Sequence, residues 1–209
     1  YPTTCGFAAG FEENSTVFRA VCEAVERWAW TKWIDESKGI KRVYPKIEKP
    51  LSSYFLDQFD EVFFFQSELA ILADGLPLFI PKNLTWTVAI GKKGNGIFPG
   101  SRVTTNKDEL WEHPLLEAWR HLLILENDLS SGEPRDLFDA RIRYFGENGI
   151  DTLRYILDMQ ITRLPEARLR ILEKVASGKV DAGNSYFVYR ALCDNYRGWD
   201  CGDERRFIY

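Results

Sequence analysis

The sequence feature that most constrains the fold is a long helical pattern that begins near residue 14. Asn14, Ser15 or Thr16 can cap its first turn, because their side-chain oxygens accept hydrogen bonds from free backbone N–H groups. At about 100° per residue, one face of the helix is apolar and the opposite face is charged. The apolar face carries Val17, Val21, Val25 and Trp28, with Phe18, Cys22 and Ala29 beside them, and the charged face carries Arg19, Glu23, Glu26 and Arg27.

The charged face has two interpretations. In the first it is a solvated surface, where each pair of opposite charges one turn apart contributes only about a few tenths of a kcal/mol. In the second, Glu23 and Glu26 hold a divalent cation such as Mg²⁺, which takes one or two carboxylates together with phosphate oxygens. Arg19 and Arg27 would then face the phosphates, whose geometry suits the arginine fork. Spacing alone favours the solvated surface, because charged residues are mostly exposed, but it does not decide.

Composition limits the classes of function. A chain of 209 residues fits one domain with a sizeable core, so we expect a single domain over residues 1–209. The net charge of -4 and the lack of a basic run give no reason to expect nucleic acid as a partner. No apolar segment approaches the ~18 to 20 residues needed to span a membrane, and residues 1–10 carry no secretory signal. The high aromatic content favours a well-filled core over a peptide-binding groove.

The cysteines indicate reduced thiols. Cys5, Cys22, Cys193 and Cys201 are scattered and include no C-x-x-C pair. In a chain of this length that pattern is typical of a cytoplasmic protein and argues against a structural zinc site.

The middle of the chain predicts an antiparallel or mixed sheet. Aromatic and β-branched runs predict strands at 61–66, 76–80, 85–90 and 97–104, with a turn at Asp74-Gly75 between the first two. The glycine-rich segment 91–96 is interpreted as a hairpin tip. A phosphate loop is the weaker alternative, since the segment lacks the G-x-x-x-x-G-K-[ST] pattern and no helix follows directly.

A second helical region is predicted between Asn106 and Asn127, with Asn106 as cap and Glu109 at the capping-box spacing. Pro114 then either kinks this helix or starts a new one. One face is apolar and the other carries His113, Glu117, Arg120 and His121. The spacing of His113, Glu117 and His121 also fits a stripe of transition-metal ligands, although a solvated face explains it equally well.

The last third of the chain predicts helices at 137–145, 150–161 and 165–177, and strands at 185–190 and 206–209. Together with the middle of the chain, these elements predict an α+β fold in which helices pack on a mixed or antiparallel sheet.

The first helix carries a family resemblance. The run from Ala20 to Arg27, preceded by Gly6 and Gly10, resembles the first nucleotide-binding motif of the YcaO family, in which Glu-x-x-Glu-Arg stands on a helix. ATP-dependent members of this family activate a peptide amide oxygen by phosphorylation and form azoline, thioamide or amidine products. The resemblance implies that Glu23 and Glu26 are magnesium and nucleotide ligands and that Arg27 is their partner. Arg19 stands where the family often has serine.

The second helix is similar to another part of the family site. Glu117-Ala118 repeats Glu23-Ala24, and a second family helix carries a glutamate with a polar residue three positions later. The resemblance thus implies that Glu117 completes the catalytic set of Glu23, Glu26 and Arg27, and that Glu23, Glu26 and Glu117 are the metal ligands. It implies that Arg19 and Arg120 also contact the nucleotide. Arg120 replaces the family's glutamine or glutamate, and Pro114 replaces an alanine.

The resemblance implies an enzyme that uses ATP and Mg²⁺ to activate an amide in a ribosomally made peptide. Family substrates are often delivered by a partner protein or a leader-binding domain, which is not recognisable here; a homodimer also stays open. The alternative is a non-catalytic relative that acts as a scaffold or peptide-binding subunit. The chain is shorter than usual for the family, lacks the proline-rich tail and begins at Tyr1, so we expect a fragment or a shortened member.

Overall fold

A computed structural model describes residues 6–72, 76–107, 110–128, 132–159, 164–180, 184–198 and 201–207. The strands in these ranges are β1 (Phe7–Gly10), β2 (Lys41–Val43), β3 (Glu61–Leu72), β4 (Asn83–Lys93), β5 (Gly96–Thr104), β6 (Ala167–Val180) and β7 (Asn184–Cys193). The helices are α1 (Glu13–Glu36), α2 (Pro50–Leu56), α3 (Glu112–Leu123), α4 (Leu137–Asn148) and α5 (Ile150–Asp158). A π-helical turn, Ile124–Asp128, extends α3.

Helix α1 is the centre of the fold. Its cap is Glu12 rather than Asn14, Ser15 or Thr16, because the Glu12 carboxylate accepts hydrogen bonds from the backbone N–H groups of the next turn. The predicted apolar face is buried. Burial extends well beyond that face, because α1 contacts β1, β7, β6 and β5. Both Trp30 and Trp33 are almost completely buried as a result.

The sheet runs in the order β1-β7-β6-β3-β4-β5, and β2 also pairs with β3. Its pairings are antiparallel except between β3 and β6, which are parallel at Ile71–Ala167 and Leu72–Arg168. The predicted α+β fold with a mixed, mostly antiparallel sheet is therefore confirmed. Because the two outermost strands in this order, β1 and β5, both contact α1, they lie on the same central helix.

Strand β3 shows why this part of the sheet is covered on both faces. Successive side chains of a strand point to opposite faces. Phe63 and Phe65 belong to the main core with α1, whereas Phe64 packs against Phe55 of α2 and Leu115 of α3. The predicted buried strand at 61–66 is thus confirmed, with α1 on one face and α2 and α3 on the other.

Several predicted elements differ from the structure. Residues 76–80 form a turn region and not a strand, and residues 165–177 belong mainly to β6 rather than to a helix. Apolar residues spaced three and four positions apart predicted the helix, but antiparallel pairing with β7 selects the extended conformation. Arg206 and Phe207 are not in a strand. The predictions that involve Asp74-Gly75, Glu109 and residues 161 and 208–209 lie outside the described residues.

The boundary of α3 also differs from the prediction. The helix begins at Glu112, so Pro114 falls in its first turn, where the missing N–H of proline is tolerated. Asn106 does not cap it; its backbone N–H donates to the Thr104 hydroxyl instead.

Gly100 permits the close contact between α3 and β5. A Cβ atom at this position would lie 2.1 Å from the carbonyl oxygen of Pro114 and 2.7 Å from the backbone nitrogen of Ala118. These are backbone atoms, so α3 can lie this close to β5 only because residue 100 has no side chain.

Gly100→Ala is therefore expected to lower the free energy of unfolding by about 1–3 kcal/mol, as for other overpacked sites. Urea denaturation measures the change. Gly178→Ala is the control, because the atoms that its Cβ would meet belong to the ring end of the Tyr186 side chain, which can move. Equal stability of the two variants would contradict the close packing of α3 on β5.

Candidate functional site

A cleft of about 500 Å³ lies over α1 and is bounded by β1, β5 and the start of α3. Its charged lining consists of the carboxylates Glu23, Glu26 and Glu117, the guanidinium groups of Arg19, Arg27 and Arg102, and the imidazole of His113. The two helices that carry the sequence motifs therefore supply side chains to one cavity.

The outer edge of β5 brings two of these carboxylates together. Ser101 donates its backbone N–H to Glu117 Oε2 over 2.7 Å and its hydroxyl to Glu26 Oε1. Val103 donates its backbone N–H to Glu26 Oε2 over 3.1 Å. Since β5 is an edge strand in the described part of the chain, these N–H groups have no neighbouring strand there to bond with. Glu26 from α1 and Glu117 from α3 take the place of that strand.

The carboxylates repel one another across the cleft. Burial raises the pKa of Glu26, the charge of Glu117 raises it further, and Arg27, Ser101 and His113 lower it. Burial also raises the pKa of Glu23 to about 7, with Arg27 and the N–H of Gly6 opposing the shift and Glu26 and Glu117 adding to it. The interpretation of this helix face as a solvated surface is therefore wrong for its two glutamates.

The chemistry of this donor set fits a divalent cation shared with phosphate. A cation would favour the charged carboxylates and so oppose both the burial and the repulsion that raise these pKa values. Among the residues that the structure describes, no three His, Cys, Asp or Glu side chains form a group able to hold a metal by themselves. Mg²⁺ characteristically completes its coordination with phosphate oxygens and water, so this cleft suits a magnesium–phosphate ligand better than a metal held by protein groups alone.

The arginines of the cleft come from two elements. Arg27 lies on α1 next to the carboxylates, whose pKa values it lowers. Arg19 donates to the Ala9 carbonyl oxygen over 2.9 Å and so joins α1 to β1 at the cleft wall. Arg102 comes from β5, and its Nε is buried without a hydrogen-bond partner in the described part of the chain.

Two predicted residues lie elsewhere. Arg120 is exposed on α3 and is not among the residues that line the cleft. His121 is buried against Phe138, and its Nδ1 lies 2.7 Å from the Pro99 carbonyl oxygen. Burial lowers the pKa of His121 to about 4. The stripe of His113, Glu117 and His121 does not form a metal site, because His121 points into the protein.

Ser101, Arg102 and Trp30 are the residues of this region that sequence reasoning missed. Trp30 donates its indole N–H to the Ser101 hydroxyl over 2.9 Å. Ser101 and Arg102 lie in a strand without a recognisable motif, and the only signal was their place just before the second helical region. Their proximity to the cleft depends on the position of β5 beside α1.

Comparison with known proteins identifies the fold. No protein-family model and no curated protein matches the sequence. Among solved structures, the E. coli microcin synthetase McbBCD complex with pro-MccB17 bound matches with a TM-score of 0.64 and 11% identity, over 91% of this chain and 54% of that chain. YcaO from Methanopyrus kandleri bound with AMPPCP and Mg²⁺ matches with a TM-score of 0.59 and 12% identity, over 99% of this chain and 58% of that chain.

The fold is YcaO-like. A third structure, a heterocyclase in complex with substrate and cofactor, matches with a TM-score of 0.51 and 16% identity over 93% of this chain and 28% of that chain. At these identities the YcaO-like fold is what the comparisons establish. The chain spans little more than half the length of the microcin synthetase and M. kandleri chains.

Two further sequence predictions concern membrane-spanning segments and the cysteines. None of the helices in the described ranges is long and apolar enough to cross a membrane. Cys22, Cys193 and Cys201 are free thiols, whereas Cys5 lies outside the described residues.

Glu23→Gln is expected to weaken the pH dependence of stability. The pKa of Glu23 is raised from 4.5 to about 7 in the folded protein, so the folded state binds this proton more tightly than the unfolded state does. The contribution of Glu23 to the free energy of unfolding therefore falls as pH rises between these two values. Glutamine does not titrate, so the variant should lose less stability than the wild type over this window.

Thermal melts in magnesium-free buffer, recorded from about pH 4.5 to about pH 8, measure this slope across the window. Glu147→Gln replaces an exposed glutamate and should keep the wild-type slope. Parallel curves for Glu23→Gln and the wild type would contradict the assignment of Glu23 as a group that is protonated in the folded state near neutral pH.

Proposed function

We propose that the cleft binds ATP with Mg²⁺ and that the chain activates a peptide amide by phosphorylation. The observation that carries this proposal is the convergence of Glu23 and Glu26 from α1 with Glu117 from α3, in one cleft that also contains three arginines. The YcaO-like fold supports it, and one structure with this fold is bound with AMPPCP and Mg²⁺.

In this proposal the acidic residues hold the metal. Glu26 and Glu117 are fixed by their hydrogen bonds to β5, and Glu23 lies one helical turn from Glu26 on the same side of α1. Mg²⁺, when bound, neutralises charge that develops on the phosphates during transfer.

The arginines hold the phosphates. Arg27 lies beside the carboxylates, and Arg19 and Arg102 line the cleft from α1 and β5. Guanidinium forks bind phosphate oxygens in pairs and so orient the triphosphate. Electrostatic stabilisation and positioning are the main protein contributions to phosphoryl transfer, and this set of side chains supplies both. Arg120 keeps no role in this proposal, since it does not line the cleft.

A peptide substrate and partner subunits are proposed with the support of the same fold-level likeness. The amide oxygen of the peptide would form a bond to the γ-phosphorus of ATP, and the bond to the leaving ADP would break. The McbBCD complex contains pro-MccB17, which supports a peptide substrate and partner subunits for this chain too.

A second candidate function is a binding subunit without turnover. It is favoured by the position of Arg120, which the resemblance assigns to the nucleotide but which does not line the cleft. Release of ADP from ATP, together with mass spectrometry of a co-expressed peptide, separates the two candidates. Nucleotide binding without ADP release or peptide modification would favour the binding subunit.

Binding itself is tested by thermal melts with AMPPCP. In the presence of Mg²⁺ the wild type should gain about 2.7 kcal/mol of stability at a hundredfold excess of ligand over Kd. Glu117→Gln should remove most of this gain, because the neutral amide is a weak magnesium ligand, while its oxygen can still accept the Ser101 N–H. EDTA should have the same effect on the wild type.

Glu112→Gln is the matched control, since Glu112 lies on the same helix and pairs with Lys49 outside the cleft. It should keep the full stabilisation by AMPPCP and Mg²⁺. A wild-type protein that AMPPCP and Mg²⁺ do not stabilise would overturn the proposed function.

A further inference from the structure

We propose that Trp30 and Ser101 are positioning residues of the magnesium–nucleotide site: Trp30 fixes the direction of the Ser101 hydroxyl, and Ser101 holds Glu26 and Glu117 ready to share one cation. This inference rests on the proposed function and adds two residues that touch neither metal nor nucleotide in it. It follows from which groups can donate hydrogen bonds and which can only accept them.

The direction of the Ser101 hydroxyl is determined by its neighbours. An indole N–H can only donate a hydrogen bond, so the Ser101 oxygen must accept the bond from Trp30 Nε1, 2.9 Å away. The hydroxyl has one proton, and Glu26 Oε1 is its hydrogen-bonded acceptor. Trp30 therefore makes Ser101 a donor toward Glu26.

Glu26 receives donors at both oxygens. The Ser101 hydroxyl bonds to Oε1, and the Val103 N–H bonds to Oε2 over 3.1 Å. A carboxylate has about four lone-pair sites, whereas a protonated carboxyl has fewer. The two donors thus favour the charged form against the burial that disfavours it, and they leave lone pairs of Glu26 for a cation.

Ser101 also sets the position of the second carboxylate. Its backbone N–H donates to Glu117 Oε2 over 2.7 Å, so a single residue contacts a glutamate from α1 and a glutamate from α3. The distance between those two carboxylates is then limited by the size of one serine. Mg²⁺ takes one or two carboxylates together with phosphate oxygens, so two carboxylates anchored at one residue of β5 suit this ion.

The ring of Trp30 cannot easily turn away from Ser101. It packs against Trp33, Trp86 and Phe207, with ring centroids 5.3, 5.7 and 5.9 Å away. Only 2% of Trp30 is exposed. The aromatic core behind the cleft therefore holds the indole N–H in one direction.

Burial of an indole does not by itself require this hydrogen bond. Trp33 and Trp86 belong to the same cluster, and their Nε1 atoms are buried without a partner in the ranges that the structure describes. Two of the three tryptophans thus contribute to the core without bonding at Nε1. The bond from Trp30 is the one that leads to Ser101 and Glu26, which indicates a role in the site.

The test compares Trp30→Phe with Trp33→Phe. Both variants replace a buried indole of one cluster by a smaller ring, so both should lower the thermal midpoint. Only Trp30→Phe removes the donor to Ser101. In calorimetric titrations with AMPPCP, Mg²⁺-dependent binding should be weakened about tenfold or more in Trp30→Phe and nearly unchanged in Trp33→Phe. This is the size of effect expected when a hydrogen bond that orients a charged group is lost. Titration in EDTA should show little difference between the variants.

A second pair of variants keeps the test independent of the tryptophan core. Ser101→Ala removes the hydroxyl but keeps the backbone N–H, and should also weaken Mg²⁺-dependent AMPPCP binding about tenfold. Ser101→Thr retains the hydroxyl and should restore most of that affinity. Equal Mg²⁺-dependent affinity in Trp30→Phe and Trp33→Phe, or wild-type affinity in Ser101→Ala, would overturn this inference while the proposed function stands. Absence of binding to the wild type would overturn both.

Discussion

The free edge of β5 is the constraint on which the rest of the structure depends. An edge strand presents backbone N–H groups that need acceptors. Here the acceptors are carboxylates, Glu26 from α1 on one face of the sheet and Glu117 from α3 on the other. One set of hydrogen bonds thus closes the edge of the sheet, fixes two helices against it and holds two carboxyl groups at the same residue of β5.

Such a site is costly for the folded protein. Partly buried carboxylates that repel one another have raised pKa values. Near neutral pH each raised pKa lowers the free energy of unfolding, and other interactions in the fold must offset this loss. Directly behind the site, Trp30 and Trp33 each pack edge to face against Trp86 in a buried core that contributes to this offset. Groups that are unfavourable for stability and held in place by a rigid core are typical of functional sites.

The likeness to solved structures establishes the fold of this chain. The microcin synthetase and M. kandleri structures match more than nine-tenths of this chain, and this chain covers little more than half of theirs. The 99% of this chain that matches the M. kandleri structure includes the sheet and the helices that form the cleft, so the proposed nucleotide site lies within the matched part. The proposed peptide substrate and partner subunits would also involve surface outside the cleft.

The sequence by itself determined the helix pattern of α1, the buried aromatic strand β3 and the α+β class, because each depends on local periodicity. The motif resemblance also selected Glu23, Glu26, Arg27 and Glu117, which the structure places in one cleft. Local pattern failed for β6, where pairing with β7 decides the conformation. The resemblance also selected Arg120, which is exposed on α3 and does not line the cleft.

Only the tertiary structure decided that Glu23 and Glu26 of the charged face are partly buried in a cleft, and that Ser101, Arg102 and Trp30 belong to the region of the site. The physical reason is that charge and spacing along a helix are the same whether the helix faces water or another strand. Contact between α1, β5 and α3 depends on the order of the strands in the sheet and on Gly100, which lets α3 approach β5 closely. These are long-range properties that no local segment of the sequence carries.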